Sequence, residues 1–202
     1  MLKVNNLQFE YPEQKLFSPI NLEVKPGSCL QLIGPNGIGK TTVLKILAGV
    51  TAPRRGRILW HNQAVPSLAP FAQYLGHSLA LKNQLSILEN LHYYAKIIRA
   101  PADRIYQACK FFDLMHLQEK WIDALSAGQK HRCQLAKLLI SDARIWLLDE
   151  PYTALDQTHI NQLLYLFETF LAEGGTILFT SHQTLSTKQF IINTYEIKQH
   201  EG

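Results

Sequence analysis

Runs of hydrophobic residues and their spacing predict a protein of mixed strands and helices. Two strand-like segments, residues 2–9 and 16–24, open the chain, and an apolar strand follows at 29–33. The runs at 145–148 and 176–180 are continuously apolar, which is the pattern of strands buried on both faces of a sheet. The order of these segments predicts an antiparallel start that leads into a mostly buried core sheet.

Apolar residues that recur at helical spacing predict helices between these strands. The predicted helices cover residues 43–48, 86–98, 103–119, 129–140 and 156–172. Pro101 separates the second of them from the third, and a short strand is expected after residue 190. We therefore expect an α/β fold in one domain, residues 1–202, into which a helical lobe of about residues 78–135 is inserted.

Composition narrows the classes of function. Of the 202 residues, 47% are hydrophobic, which is ample for a sizeable core. The net charge of +4 comes from lysines and arginines scattered along the chain, so nucleic acid is not an expected partner. The three cysteines have no Cys-x-x-Cys spacing, which argues against a zinc site and fits a reducing compartment. We see no signal peptide and no apolar run near 18 residues, so a membrane role would come from another chain.

The residues after the strand at 29–33 form the most specific motif in the chain. They match the phosphate-binding loop pattern of Gly, any four residues, Gly-Lys and Ser or Thr, and residues 43–48 supply the helix that must follow. The glycines let backbone N–H groups approach phosphate oxygens, while Lys40 reaches the β and γ phosphates. The Thr41 hydroxyl is placed to ligate Mg²⁺, and Thr42 is expected at the α phosphate. The residues expected to bind the triphosphate are Gly34, Pro35, Asn36, Gly37, Ile38, Gly39, Lys40, Thr41 and Thr42.

Two later motifs choose among the chemistries that such a loop serves. Leu125-Ser126-Ala127-Gly128-Gln129 opens the predicted helix at 129–140, and Ile145-Trp146-Leu147-Leu148-Asp149-Glu150-Pro151 follows it. Over essentially the whole chain, this order resembles the signature and Walker B sequences of ATP-binding cassette (ABC) ATPases. The resemblance implies a P-loop NTPase fold with a RecA-like core, an antiparallel β subdomain and an inserted α-helical lobe, and an enzyme that hydrolyses ATP with Mg²⁺.

Adjacent carboxylates end the buried strand at 145–148. Asp149 lies at the carboxyl edge of the sheet, where it can hold Mg²⁺ through water. Glu150 is then the candidate general base for the attacking water, and Pro151 stops the strand from continuing. The predicted metal ligands are Thr41, Asp149 and His77, and the predicted catalytic residues are Lys40, Glu150 and His182.

The signature residues suit a γ phosphate because they begin a helix. Ser126 and the backbone N–H of Gly128 offer donors at the positive end of the helix dipole, and Gln129 completes the motif. In ABC ATPases that phosphate belongs to the nucleotide on the opposite subunit, so the resemblance implies a head-to-tail sandwich of two copies. Ala127 stands where glycine is commoner.

The resemblance assigns three further residues. His182 follows the last core strand, as does the switch histidine that contacts the γ phosphate in this family. Asp156 matches the D loop, which communicates across the dimer, and it also suits a helix cap. Tyr11 lies 29 residues before Lys40, where a ring stacks on adenine; Phe9 and a plain core or loop tyrosine remain the alternatives.

The chain departs from the family between the phosphate loop and the signature. A glutamine whose side-chain oxygen meets Mg²⁺ is usual there, but this chain has Tyr74-Leu75-Gly76-His77. His77 has no carbonyl oxygen, so a metal contact would need a ring nitrogen or a water. Gln73 is the alternative counterpart, although it lies inside the strand pattern. We favour His77.

This departure narrows the resemblance to the cytochrome c maturation branch of the family. The segments that carry it are Tyr74–His77, Leu88–Leu91, Leu125–Gln129, Trp146 and Pro151–Asp156. The resemblance implies a peripheral subunit on the cytoplasmic face of the bacterial inner membrane, with the membrane proteins CcmB, CcmC and CcmD as partners and a role in haem delivery through a haem chaperone. The histidines lack a Cys-x-x-Cys-His arrangement, so we expect no direct haem binding.

Other interpretations remain open. The chain is alternatively the ATPase of another small ABC exporter or a soluble, non-transport ABC ATPase; a P-loop kinase would not account for Leu125–Gln129. Apolar residues near 79–88 and at Tyr93 and Tyr94 are candidates for docking a membrane subunit, and a packed lobe core is the equally weighted alternative.

Overall fold

The computed structural model describes residues 1–11, 14–181 and 185–199, with the side chains of Tyr11, Gln14 and Lys15 outside that description. In this part of the chain the strands are β1 (Leu2–Gln8), β2 (Glu10–Tyr11), β3 (Gln14–Lys15), β4 (Ile20–Val24), β5 (Cys29–Ile33), β6 (Arg55–Trp60), β7 (Gln63–Val65), β8 (Ala72–Leu75), β9 (Ile145–Asp149), β10 (Thr176–Thr180) and β11 (Ile192–Glu196). The α-helices are α1 (Lys40–Leu47), α2 (Ile87–Ile98), α3 (Asp103–Phe111), α4 (Ala127–Ile140) and α5 (Gln157–Ala172).

Two principal sheets confirm the α/β class and the antiparallel start. The first is parallel, in the order β11-β5-β10-β9-β8, and the second is antiparallel, in the order β4-β1-β6-β7. In the parallel sheet every residue of β9 and β10 is buried, as their continuous apolar runs predict. Both strands end at the edge that carries the phosphate-binding loop.

The side chains of β9 show how one strand serves two cores. Ile145 and Leu147 pack with α1 and the antiparallel sheet, whereas Trp146 and Leu148 pack with helices α2 to α5 on the opposite face. Successive residues of a strand point to opposite faces, so an unbroken apolar run covers both. This double burial anchors the strand that ends at Asp149.

Some element bounds differ from the sequence-based expectation. The strand expected at 16–24 begins only at Ile20, one residue after Pro19, which has no N–H to donate. The helix expected to reach residue 119 ends at Phe111. Strand β7 was not expected; a two-residue turn leads into it, with His61 and Asn62 both at positive φ, the geometry that matches the twist of a tight hairpin.

Helices α2, α3 and α4 pack on one another and on one face of the parallel sheet. Helix α4 runs unbroken across residue 135, the position given above as the end of the inserted lobe. Its second half therefore belongs to the packing of the core. None of the helices in the described ranges is long and apolar enough to cross a bilayer.

Candidate functional site

A cleft of about 380 Å³ opens where the phosphate-binding loop faces the carboxyl end of β9. Ligands of open α/β sheets bind at this kind of position, outside the carboxyl ends of the strands. Its lining residues are Leu16, Asn36, Gly37, Gly39, Lys40, Thr41, Thr42, His77, Asp149 and Glu150. Strand β5, helix α1 and strand β9 thus bring together most of the residues predicted for phosphate and metal.

The backbone of the loop explains its glycine at position 39. Gly39 has φ +102°, a conformation that side chains disfavour, and a Cβ there would lie 2.5 Å from Leu16 Cδ2 and 2.9 Å from Phe17 Cδ1. Helix α1 starts at the next residue, and no side chain caps it. The first N–H groups of a helix have no partner within it, so this end suits phosphate oxygens.

Lys40 is folded over the loop. Its Nζ donates hydrogen bonds to the carbonyl oxygens of Gly34 at 2.8 Å and Pro35 at 3.1 Å, and the residue is buried. An ammonium group has three protons, so the third remains for an anion in the cleft. The loop carbonyls thereby hold the positive charge where phosphate oxygens would lie.

Thr41 and Asp149 form the candidate metal site. The Thr41 Oγ1 lies 2.9 Å from both carboxylate oxygens of Asp149 and donates to that carboxylate. Hydroxyl and carboxylate oxygens side by side suit Mg²⁺, which prefers few protein ligands and takes phosphate and water oxygens as the others. No cluster of three or more His, Cys, Asp or Glu ligands occurs among the described residues. The chemistry of these two residues fits a magnesium ion.

Thr180 contacts both acidic residues at the end of β9, Asp149 through its carboxylate and Glu150 through its backbone. It lies opposite Asp149 in the parallel sheet, and its Oγ1 donates to Asp149 Oδ1 at 2.7 Å and accepts from the Glu150 N–H at 3.1 Å. Sequence reasoning missed this residue. The available signal was its position as the last residue of the neighbouring strand, before Ser181.

Glu150 leaves the strand in a left-handed conformation, with φ 56°. Such a conformation costs a residue other than glycine about 1–2 kcal/mol, and the Thr180 hydrogen bond helps to offset it. The turn brings Glu150 to the wall of the cleft beside Asp149. Position and residue type therefore suit the role of a general base.

The signature residues form a helix cap and do not line the cleft. Ser126 Oγ accepts from the Gln129 N–H at 3.3 Å, and Gln129 Oε1 accepts from the Ser126 N–H at 2.9 Å, a reciprocal capping box. A Cβ on Gly128 would lie 2.7 Å from the Ala154 carbonyl oxygen, so glycine permits the close contact between α4 and the D loop. Within one chain, these residues are not brought to the phosphate-binding loop.

The structure separates the two candidates for the usual glutamine. His77 is exposed and borders the cleft together with Thr41 and Asp149. Gln73 is buried in β8, where its Oε1 accepts from the Tyr94 hydroxyl and its Nε2 donates to the Tyr74 carbonyl at 3.3 Å. The amide of Gln73 is thus engaged away from the cleft, and the geometry favours His77.

Three predicted site residues lie outside the cleft or outside the described part of the chain. His182 and the side chain of Tyr11 lie outside the described residues. Asp156 caps α5, where its Oδ1 accepts from the backbone N–H of His159 at 2.9 Å. Hydrogen bonds from His159, first from its backbone and then from its ring, lower the pKa of Asp156, so its carboxylate is ionised at neutral pH.

Comparisons with known proteins bear on the same features. The family model described as ABC transporter matches residues 17–153. The cytochrome c biogenesis ATP-binding export protein CcmA of Tatumella citrea is 37% identical over 196 residues, which cover 95% of this chain and 93% of that protein. A putative ABC transporter ATP-binding protein from Pyrococcus furiosus superposes with a TM-score of 0.83 at 25% identity, covering 97% and 96% of the two chains.

A second solved structure adds a dimeric example of the fold. It is the ATP-binding cassette MJ0796, described as a dimeric post-hydrolysis state bound to ADP and Pi. Its TM-score is 0.80 at 23% identity, with 91% of this chain and 88% of that one covered. The arrangement of sheets and helices described above is therefore shared with proteins of known structure.

Proposed function

Because this chain belongs to the ABC transporter family, we propose that it is the ATP-binding and ATP-hydrolysing subunit of a bacterial membrane complex in cytochrome c biogenesis. The observation that carries the proposal is the gathering of Lys40, Thr41, Asp149 and Glu150 around one cleft. The relationship to the CcmA export protein supports the narrower role. In that role, ATP hydrolysis is coupled to haem export or to release of the holo haem chaperone.

The residues of the cleft divide the work of hydrolysis among them. Lys40 and the start of α1 bind the phosphates, and Thr41 with Asp149 would hold the Mg²⁺, which when bound neutralises charge on the β and γ phosphates. Glu150 accepts the proton of the attacking water, while Thr180 keeps its backbone in place. His182, which follows β10 in the sequence, is proposed to orient that water.

A second copy of the chain completes the site in this proposal. Ser126, Gly128 and Gln129 lie at an exposed helix start, outside the cleft of their own chain. The positive end of α4 suits the γ phosphate held by the other copy. MJ0796, described as dimeric and bound to ADP and Pi, is an example of a dimer in a protein of the same fold.

A groove of about 390 Å³ is our candidate for docking a membrane subunit. It lies between the segment after β8 and helices α2 and α4, and it contains the exposed side chains of Tyr93 and Ile97. Lys45, Lys82 and Lys137 line it, and none of its lining residues is acidic. A partner segment with apolar residues and a carboxylate would complement it. We propose that this partner is CcmB, with CcmC and CcmD in the same complex, and that the chain lies at the cytoplasmic face of the inner membrane.

The apolar residues expected at this surface divide between the two interpretations. Leu79 and Tyr93 line the groove, and Leu81 and Leu88 pack against the core. Tyr94 does both. Burial lowers the pKa of Lys137, whose Nζ donates to the Ala80 carbonyl at 3.1 Å. A hydrogen bond between two lining residues, Lys137 and Ala80, therefore holds part of the groove in place.

Ile97→Glu is expected to reduce co-purification of the membrane subunit by about tenfold or more, because it removes apolar contact area and adds a charge that must be desolvated. The measurement is affinity purification of the tagged chain from detergent-solubilised membranes, followed by identification of the captured proteins. Val50→Glu is the matched control, since Val50 is 63% exposed and Ile97 62%, and Val50 lies outside the groove.

The results of this purification separate the competing functions. Capture of haem-handling membrane proteins by the wild-type chain supports the proposed role, and capture of a different exporter favours the alternative transport role. Capture of ribosomes without membrane proteins would favour a soluble ABC ATPase. Equal capture by wild type and Ile97→Glu would remove the groove as the docking surface and leave the ATPase assignment intact.

His77→Gln is expected to leave ATPase activity of the isolated dimer within about threefold of wild type and to change the stimulation of ATPase by the membrane partner. The imidazole borders the cleft without a hydrogen bond to Thr41 or Asp149, so its main role is proposed in coupling. Turnover is measured against Mg²⁺ concentration, with and without the partner. Collapse of Mg²⁺-dependent turnover in the isolated dimer would instead assign His77 to the metal.

Gln73→Leu is the control for the alternative counterpart. It leaves the hydroxyl of the half-buried Tyr94 without its acceptor Gln73, so we expect a loss of stability of about 1–3 kcal/mol with coupling retained. Altered coupling in this variant at unchanged stability would favour Gln73 over His77.

A further inference from the structure

Two neighbouring residues of α4 hold both ends of the segment that joins Glu150 to the D loop. At one end, His131 Nε2 donates to the Pro151 carbonyl oxygen at 2.8 Å. At the other end, Arg132 Nη1 lies 2.9 Å from His159 Nε2, and His159 Nδ1 lies 2.7 Å from Asp156 Oδ1. The helix that begins at the signature is therefore tied to Pro151, the residue after Glu150, and through His159 to Asp156 of the D loop.

The chemistry of its neighbours sets the proton on the His159 ring. The Asp156 carboxylate only accepts hydrogen bonds, so Nδ1 carries the proton and donates it. The Arg132 guanidinium only donates, so Nε2 offers its lone pair. His159 thus bridges a carboxylate and a guanidinium, and a side chain with only donors or only acceptors could not make both contacts.

Arg132 extends the bridge into the helical lobe. Its Nη1 also donates to the carbonyl oxygens of Phe112 at 2.9 Å and Asp113 at 3.3 Å, just after the end of α3. The negative end of a helix favours a guanidinium at this position. Arg132 is buried and Asp113 has φ 52°, so the end of α3 and the arginine are held in one arrangement.

We propose that His159 is a positioning residue for ATP hydrolysis, which transmits the placement of Asp156 by the second copy to Glu150 and to the helical lobe. The inference rests on the proposed sandwich of two copies. Asp156 is exposed and lies at the D loop, whereas Glu150 is six residues earlier on a segment that His131 also anchors at Pro151. Because His159 links Asp156 to Arg132, we expect residues 150–156 to move together with α4 and α3.

The test compares His159→Ala with wild type in the full chain. We expect kcat for ATP to fall about tenfold, the scale of one lost hydrogen bond to a charged group, while KM stays within about twofold because the phosphate cleft is untouched. The matched control is His92→Ala, an exposed histidine on α2 outside these contacts. Hydrogen exchange of residues 103–113 is followed with and without ATP, and the ATP-induced change is expected to disappear in His159→Ala.

His159→Asn is the second variant, used if His159→Ala does not fold stably. Its amide still donates toward Asp156 but is too short to accept from Arg132, so we expect the same low kcat. Wild-type kcat in either variant would overturn the inference, as would an ATP-induced change in the exchange of residues 103–113 that is the same in His159→Ala as in wild type. Failure of the wild-type chain to dimerise with ATP would instead remove the proposed sandwich, and the inference with it.

Discussion

Glu150→Gln is expected to lower ATP hydrolysis by about 10²–10⁴-fold and to leave ATP binding near wild type. Glutamine has almost the same shape, and the Thr180 hydrogen bond is to the backbone N–H, so the turn at φ 56° is retained. The amide cannot take a proton from water. The variant should therefore bind MgATP and remain longer in the ATP-bound dimer.

Single-turnover hydrolysis and size-exclusion chromatography with ATP measure the two effects. Glu173→Gln is the control. Glu173 is exposed just after α5, so this variant replaces a carboxylate by an amide outside the cleft. Wild-type turnover in Glu150→Gln would show that another group accepts the proton. Loss of ATP binding would show that the carboxylate contributes to the site mainly through its charge.

Lys40→Ala is expected to weaken ATP binding by about 10- to 100-fold. The ammonium is held at 2.8 and 3.1 Å from the carbonyl oxygens of Gly34 and Pro35, and hydrogen bonds to a charged group contribute about 1.5–3 kcal/mol each. Removal leaves the phosphates facing loop carbonyls, which also carry negative partial charge. The loss should therefore be larger for ATP than for adenosine.

Equilibrium binding of a fluorescent ATP analogue measures this loss, with adenosine as the second ligand. Lys25→Ala serves as the control for the change in net charge, since Lys25 is exposed after β4 and lies outside the cleft. Equal affinity of Lys40→Ala and wild type would contradict the assignment of the phosphate-binding loop. A thermal-unfolding comparison shows whether the variant is folded.

Elements whose burial follows directly from their own residues were predictable. The unbroken apolar runs of β9 and β10 and the helical spacing of α4 and α5 gave the right element types, with bounds within two residues at each end. The exceptions are places where one or two residues decide the backbone. The His61-Asn62 turn into β7 and the left-handed Asp113 beyond α3 depend on local φ, which hydrophobic patterning does not report.

The sequence predicted most residues of the candidate site but few of the contacts between them. The phosphate-binding loop, Asp149 and Glu150 were named from motifs, and the cleft brings them together. The roles of Thr180 and His159 were not predicted from the sequence. Thr180 depends on the register of β10 against β9, and His159 depends on its contact with Arg132 of α4. The choice between Gln73 and His77 likewise depends on the directions of their side chains, which the sequence does not give, and it stays a prediction.

The sequence alone determined what kind of loop this chain carries and in which family its motifs belong, because those depend on residue types at short fixed spacings. Only the tertiary structure decided which groups meet. Thr41 and Asp149 are 108 residues apart along the chain and 2.9 Å apart in space, because β5 and β9 both lie beside β10 and end at the same edge of the sheet. That distance follows from the order of the strands in the sheet, which the residue pattern near either position does not specify.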